Sequence, residues 1–223
     1  MDDFGHPDCS ALARIGETVR KQLSCEPAVR RFPEERAEVY AVDAFLDTKD
    51  CNHLITLIDA MAQPSGLVDE ADWPDYRTSY SSDIDVADRT VRKVERRIAA
   101  LTGLTLDCSE SLQGQRYRTG EYFHEHYDWF DTSADYWDRE RRCGGQRTWT
   151  AMVYLNDVDE GGATDFTRIP ISIAPLRGNL LLWNNALPDG TPNPWTMHAA
   201  RPVVRGVKYV VTKWFRTKPW SQP

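Results

Sequence analysis

The sequence predicts an α+β chain in which helices come first and a sandwich or barrel of short strands comes after them. Three observations carry this reading. Before Gly103, apolar residues recur at helical spacing in three stretches. After Gly103 come short runs rich in β-branched and aromatic residues, bounded by Gly, Pro, Asn or Asp. No linker-like composition divides the 223 residues, and a chain of this length can bury a sizeable core.

The first expected helix spans 10–23, capped by Ser10, with Leu12, Ile15, Val19 and Leu23 as its apolar stripe. Pro27 and Pro33 keep the next segment from continuing as helix. Residues 38–46 read as a strand containing Val39 to Val42 and Phe45. Asp47 is then an N-cap, with Asp50 three residues on. Leu54, Leu57, Ile58 and Met61 carry a second helix to Pro64-Ser65-Gly66. A third spans about 86–102, buries Val91, Val94, Ile98 and Leu101, and stops at Gly103. Strand-like segments lie near 111–118, 121–130, 147–156, 171–174, 178–184, 195–204 and 207–216.

Net charge is −7, which argues against a general nucleic-acid binder and against attraction to anionic membranes. No stretch approaches the ~20 apolar residues of a membrane span, and no signal peptide is visible, so the expected location is cytoplasmic. Five widely spaced cysteines without a C-x-x-C pair argue against a disulfide framework or a structural zinc site. The short basic run from Arg139 to Arg142 is either a solvated loop or a contact for an acidic substrate.

The chemistry gathers around histidine. On a regular strand, residues two apart share a face, so His126 and Asp128 would point together. An imidazole and a carboxylate on one face can share an edge of an octahedral ion. One distant histidine, His198, completes a two-His, one-carboxylate set with three positions left open. His124 has the same parity, so the pairing of His124 with His126 stays open. Lys208 shares a strand face with Val210, Thr212 and Trp214, while Val207, Tyr209 and Val211 fill the other. A lysine pointing into such an interior needs an anion, such as the remote carboxylate of a small dicarboxylic acid. Otherwise it sits at a frayed strand start and reaches solvent. Arg205 is a second candidate cation.

Together these features resemble the prolyl 4-hydroxylase-like family of Fe(II)- and 2-oxoglutarate-dependent oxygenases, from about Val39 to Trp214. The resemblance lies in Leu112 through Tyr117, Gly120, His126-x-Asp128, Gly145-Gln146-Arg147 and Thr150. It continues in Tyr154-Leu155-Asn156, Gly161-Gly162-x-Thr164-x-Phe166, Pro175 and Gly178. It closes with His198, Pro202-Val203, Gly206-x-Lys208 and Lys213-Trp214. It implies a double-stranded β-helix, or jelly roll, with an N-terminal helical layer. Residues 1–37 would then be a helical extension and 38–223 the oxygenase domain, with its core at about 111–216.

The resemblance also implies roles. His126, Asp128 and His198 would hold Fe(II), and Lys208 would meet the distal carboxylate of 2-oxoglutarate. Arg77, Arg147 and Trp214 would face substrate. The family has a Tyr three residues before the first iron His, and here that position is Phe123. Tyr117, Thr150 or Thr164 would then supply the missing hydrogen bond to 2-oxoglutarate. The stretch 131–144 is either a lid or an exposed loop. The implied activity is hydroxylation of an unactivated C–H bond with O2, releasing succinate and CO2, with ascorbate as a reductant. The substrate is either a prolyl peptide or a small molecule such as an amino acid, and Trp73, Trp129, Trp137, Trp183 and Trp195 are candidate pocket walls. The alternatives are a non-catalytic jelly-roll binding module and a zinc hydrolase using the same ligands.

Overall fold

The computed structural model describes residues 7–65 and 76–221, so Trp73 and Gly66 lie outside the described residues. The chain opens with α1 (Cys9–Ser24), capped by Asp8, whose carboxylate accepts from the Ala11 amide. Ser10 falls inside the first turn instead of capping it. Next come β1 (Val29–Arg31), β2 (Val39–Val42) and α2 (Thr48–Met61), with Asp47 capping α2 through the Asp50 amide. After them are β3 (Gln63–Pro64), β4 (Tyr80–Asp83) and α3 (Arg89–Thr102). Asp88 caps α3, and Gly103 ends it at φ 72°, a left-handed turn that costs glycine little. No helix is long and apolar enough to cross a membrane among the described residues.

The strand-rich half contains β5 (Gln113–Tyr117), β6 (Phe123–His126), a short α4 (Trp137–Cys143) and β7 (Arg147–Tyr154). It continues with β8 (Glu160–Gly161), β9 (Thr164–Phe166), β10 (Ile171–Ile173) and β11 (Leu180–Asn184). It closes with β12 (His198–Ala200), β13 (Val203–Arg205) and β14 (Lys208–Arg216).

The strands form a jelly roll. The larger sheet runs β1-β2-β11-β7-β14-β5-β4-β3, and the smaller runs β10-β9-β12-β6. All the pairings in both sheets are antiparallel. The central strands are buried on both faces, and the pleat sends alternate residues to two cores. Trp149, Ala151 and Val153 of β7, with Leu180 and Leu182 of β11, meet Val19, Leu54, Ile58, Val94 and Ile98 from the helices. Met152, Tyr154, Leu181 and Trp183 turn the other way, toward Phe166 and Ala200 of the smaller sheet and Val203 of β13. The helices thus brace one face of the large sheet, and the space between the sheets is left for the site.

The strands that pattern reading misses are polar and short. β4 is Tyr-Ser-Ser-Asp, with no apolar alternation to reveal it, and it forms because β5 offers a free edge. The stretch 131–144 is neither an exposed loop nor a cover. It holds α4, buries Trp137 and Glu140, and is fixed by Glu140 to Arg216 at 2.9 Å. The basic run therefore lies on a docked helix.

One buried ion pair ties the helical layer to the sheet. Glu95 of α3 and Lys213 of β14, both nearly inaccessible, meet at 2.6 Å. Removing one partner strands the other charge in the core. Glu95→Ala is expected to lower unfolding stability by about 3–5 kcal/mol in urea titrations. Replacing both residues together with Leu and Met should recover most of that loss.

Candidate active site

The site starts from a register. In the antiparallel pair β6–β12, His126 lies opposite His198 and Phe123 opposite Ala200, with a bulge between the two pairs. The bulge breaks strand parity. His126 turns inward beside His198, with ring centroids 4.2 Å apart, while His124 turns out to solvent against Tyr76 and Tyr122. Asp128 lies just beyond the strand end, buried at 5% exposure. One ligand atom from each of His126, Asp128 and His198 lies within 4.8 Å of the others. The ambiguity between His124 and His126/Asp128 is resolved by tertiary placement.

These residues suit a divalent ion. His126 Nδ1 is 2.8 Å from the His124 carbonyl, and His198 Nδ1 is 2.9 Å from the Thr196 carbonyl. Each Nδ1 therefore carries the proton and donates it, which leaves Nε2 with a free lone pair. Burial, and then the neighbouring His198, hold His126 well below the usual imidazole range, so it is neutral as a ligand must be. Asp128 supplies the one negative charge. Its Oδ2 accepts from the Thr150 hydroxyl at 2.6 Å.

A cavity open to solvent lies beside the triad. Lys208 lies in its wall at 1% exposure, so the frayed-start alternative does not hold. Its ammonium has no carboxylate in ion-pair distance among the described residues, and its nearest polar partner is Thr164 Oγ1 at 3.4 Å. Burial pushes its pKa down to about 7, opposed by Asp165. Tyr117 and Tyr154 rings lie 5.2 and 5.6 Å from the amine. Such a cation, facing a cavity that already holds a metal-type donor set, matches a carboxylate ligand.

The other expected residues divide. Tyr117, Thr164, Arg77 and Trp214 line the cavity, as do Phe123 and Trp183. Thr150 does not: its hydroxyl is committed to Asp128, so it is not the substitute for the missing tyrosine hydroxyl. Arg147 does not either. It makes two 2.7 Å bonds to Glu110 and is stacked 4.6 and 4.1 Å from Phe130 and Trp214, because a buried guanidinium binds the nearest carboxylate. Arg205 is exposed on the surface near Asp159. Trp137 is core, and Trp195 stacks under Arg36 at 4.9 Å. No residue of 131–144 lines the cavity. Sequence reading missed Gln115 and Met152 as wall residues, although the parity of β5 with Tyr117, and of β7, contained that signal. It also missed Asn185, which donates to Thr150 from a loop that no periodicity marks.

Residues 112–216 match the 2OG-Fe(II) oxygenase superfamily. The chain is 33% identical to probable prolyl 4-hydroxylase 10 of Arabidopsis thaliana over 212 residues, covering 84% of this chain and 71% of that protein. The chain belongs to the prolyl 4-hydroxylase-like family of Fe(II)- and 2-oxoglutarate-dependent oxygenases.

Prolyl 4-hydroxylase 5 of the same plant is 34% identical, over 82% of this chain and 68% of its own length. Among solved structures, the collagen prolyl hydroxylase of Paramecium bursaria Chlorella virus-1, in its 2-oxoglutarate complex, superposes with a TM-score of 0.62. It is 27% identical and covers 80% of this chain and 95% of that one. A Trichoplax adhaerens prolyl hydroxylase bound to a hypoxia-inducible-factor peptide shares the fold, with a TM-score of 0.58 at 16% identity. This family member is therefore a dioxygenase that uses Fe(II), 2-oxoglutarate and O2, and not a zinc hydrolase or a bare binding module.

The oxygenase should turn over 2-oxoglutarate to succinate slowly without substrate. His126→Ala, loaded with iron anaerobically, should abolish that turnover. Lys208→Ala should raise the half-saturating 2-oxoglutarate concentration by roughly one to two orders of magnitude, the weight of a charged hydrogen bond, with little change in Fe(II) requirement. Below about pH 7 the Lys208 amine is already charged, and above it ligand binding must draw in a proton. The half-saturating concentration should therefore rise with pH above neutrality in steady-state assays. That rise should flatten in Lys208→Arg, which stays charged.

Proposed function

We propose that this dioxygenase hydroxylates C4 of a prolyl residue presented in a peptide, at the site formed by His126, Asp128, His198 and Lys208. The observation that carries the proposal is the assembly of these four residues around one cavity in a chain whose relatives are prolyl 4-hydroxylases. Bound Fe(II), with 2-oxoglutarate and O2, supplies the oxidation: the keto acid leaves as succinate and CO2, and one oxygen atom enters the substrate C–H bond.

The chain's own residues do the rest. His126 and His198 present neutral Nε2 atoms, and Asp128 presents the one anionic donor. Lys208 fixes the far end of the keto acid, so that its α-keto head lies toward the triad. Phe166 and Trp183 pack against His198, with centroids 5.8 and 4.9 Å away, and Phe123 stacks on His126 at 3.6 Å. These rings keep water from the imidazoles and restrict their rotation. Beside the cavity-lining Phe123, the half-buried Tyr76 and Tyr122 rings pack against the exposed His124, an aromatic cluster suited to an extended peptide.

Arg77 supports a second reading, a small substrate bearing its own carboxylate. Its guanidinium lies 4.7 Å over the Phe123 ring in the cavity wall. Its bonds go to the neutral groups Ser79 Oγ at 2.9 Å and Gln113 Oε1 at 3.4 Å. It has no carboxylate in ion-pair distance among the described residues, whereas Arg147 and Arg216 are both neutralised.

Mass spectrometry of proline-rich peptides and of free amino acids, incubated with Fe(II), 2-oxoglutarate and ascorbate, separates the two readings. The peptide reading requires a gain of one oxygen on a peptidyl proline. Oxidation of free amino acids alone would replace it with the second. Under the second reading, Arg77→Ala is expected to raise the substrate KM about tenfold or more, the weight of a hydrogen bond to a charged group, and to leave substrate-free succinate formation unchanged.

A further inference from the structure

We propose that Thr150 and Asn185 form a directional relay that holds Asp128 to a single ligating oxygen, and so keeps coordination positions of the ion open for its co-substrates. The inference rests on His126, Asp128 and His198 being the metal ligands.

The relay is read from donors and acceptors. Asn185 Nδ2 donates to Thr150 Oγ1 at 3.0 Å, and Thr150 Oγ1 donates to Asp128 Oδ2 at 2.6 Å. All three residues are almost inaccessible, at 1%, 0% and 5% exposure. A threonine hydroxyl has one hydrogen. Because Asn185 fills the acceptor side of that hydroxyl, the hydrogen is directed at Asp128. The opposite amide orientation would set two acceptors against that one hydrogen. The backbone of the asparagine is held in place: its N–H donates to the Thr148 carbonyl at 2.8 Å and its main-chain carbonyl accepts from the Asn193 N–H at 3.1 Å, while its side-chain Oδ1 is buried without a partner among the described residues.

Thr150 sits on β7 and Asn185 just past the end of β11, and these strands are paired. The relay is therefore anchored in the large sheet, while both histidines come from the smaller one. It joins the two halves of the jelly roll through the carboxylate.

The chemical consequence concerns denticity. A carboxylate can bind an ion through one oxygen or two. An octahedral ion held by two histidines and one carboxylate oxygen has three positions free. A second Asp128 oxygen would take one of them. With Oδ2 committed to Thr150 by a short charge-assisted bond, Oδ1 is the oxygen left for the ion. Thr150 and Asn185 are thus positioning residues and touch no reactant. Their place in the core explains why Thr150 is absent from the cavity wall.

The test measures Co(II) affinity by titration of the full chain, together with the charge-transfer absorption of the anaerobic complex with Fe(II) and 2-oxoglutarate. Thr150→Val keeps the shape and loses the donor. It should weaken Co(II) binding about 10–100-fold, as loss of outer-shell partners does, and reduce the absorption at saturating ligand. Thr150→Ser keeps the hydroxyl and should restore both. Asn185→Leu should fall between, and the double variant should be no worse than Thr150→Val. If the valine variant fails to fold, as judged by melting in EDTA, Asn185→Leu against the parent carries the test. Equal Co(II) affinity and absorption in the parent and in Thr150→Val would overturn the proposal. So would a serine variant as weak as the valine one, or additive losses in the double variant. Failure of the parent chain to bind Co(II) would instead remove the ligand assignment itself.

Discussion

The site depends on one cross-strand pairing. His126 and His198 face each other in an antiparallel register, on strands that belong to different parts of the chain. Two imidazoles this close repel if both are protonated, and burial already disfavours charge. The pair is stable because each ring gives its Nδ1 proton to a backbone carbonyl two residues away. The unprotonated nitrogens are then forced to the same side. Everything else at the site answers to that geometry. Asp128 adds a charge, the aromatic rings limit rotation, and the cavity lies where the lone pairs converge.

A second constraint is charge. Among the buried cations described, Lys213 and Arg216 have carboxylate partners, while Lys208 has none. Burial without compensation is costly enough to pull the Lys208 pKa toward neutrality. An anionic ligand in the cavity would complete the balance. Arg147 shows the opposite outcome for a similar side chain. Glu110 lies within reach, so the guanidinium becomes part of the scaffold where β7 and β14 meet. Phe123 offers the cavity a ring without a hydroxyl. Tyr117 and Thr164 line the same cavity, with hydroxyls bonded to Gln115 and Tyr154, and Thr150 does not line it.

Periodicity made much of the scaffold legible. The three long helices, the caps at Asp47 and Gly103 and the two-faced burial of β14 come from local spacing, because each depends on near neighbours in sequence. The polar strand β4 and the short strands β1 and β3 were not legible. Their hydrogen bonds are made to partners whose arrival local sequence does not encode. The same holds for α4, whose Glu140 is held by an arginine from the last strand.

At the site, residue types and order brought His124, His126, Asp128, His198 and Lys208 forward as candidates, and the choice of His126, Asp128 and His198 for the metal, with Lys208 for an anion, was what the family resemblance implied. Tertiary structure decided the rest. A bulge in β6, and not strand parity, turned His124 outward and His126 inward. A carboxylate from a distant segment took Arg147 out of contention and left Arg77 in the wall. The Asn185 and Thr150 side chains fixed which oxygen of Asp128 is free. Each of these outcomes depends on where a partner sits in space, and for groups far apart in sequence only the folded chain sets that distance.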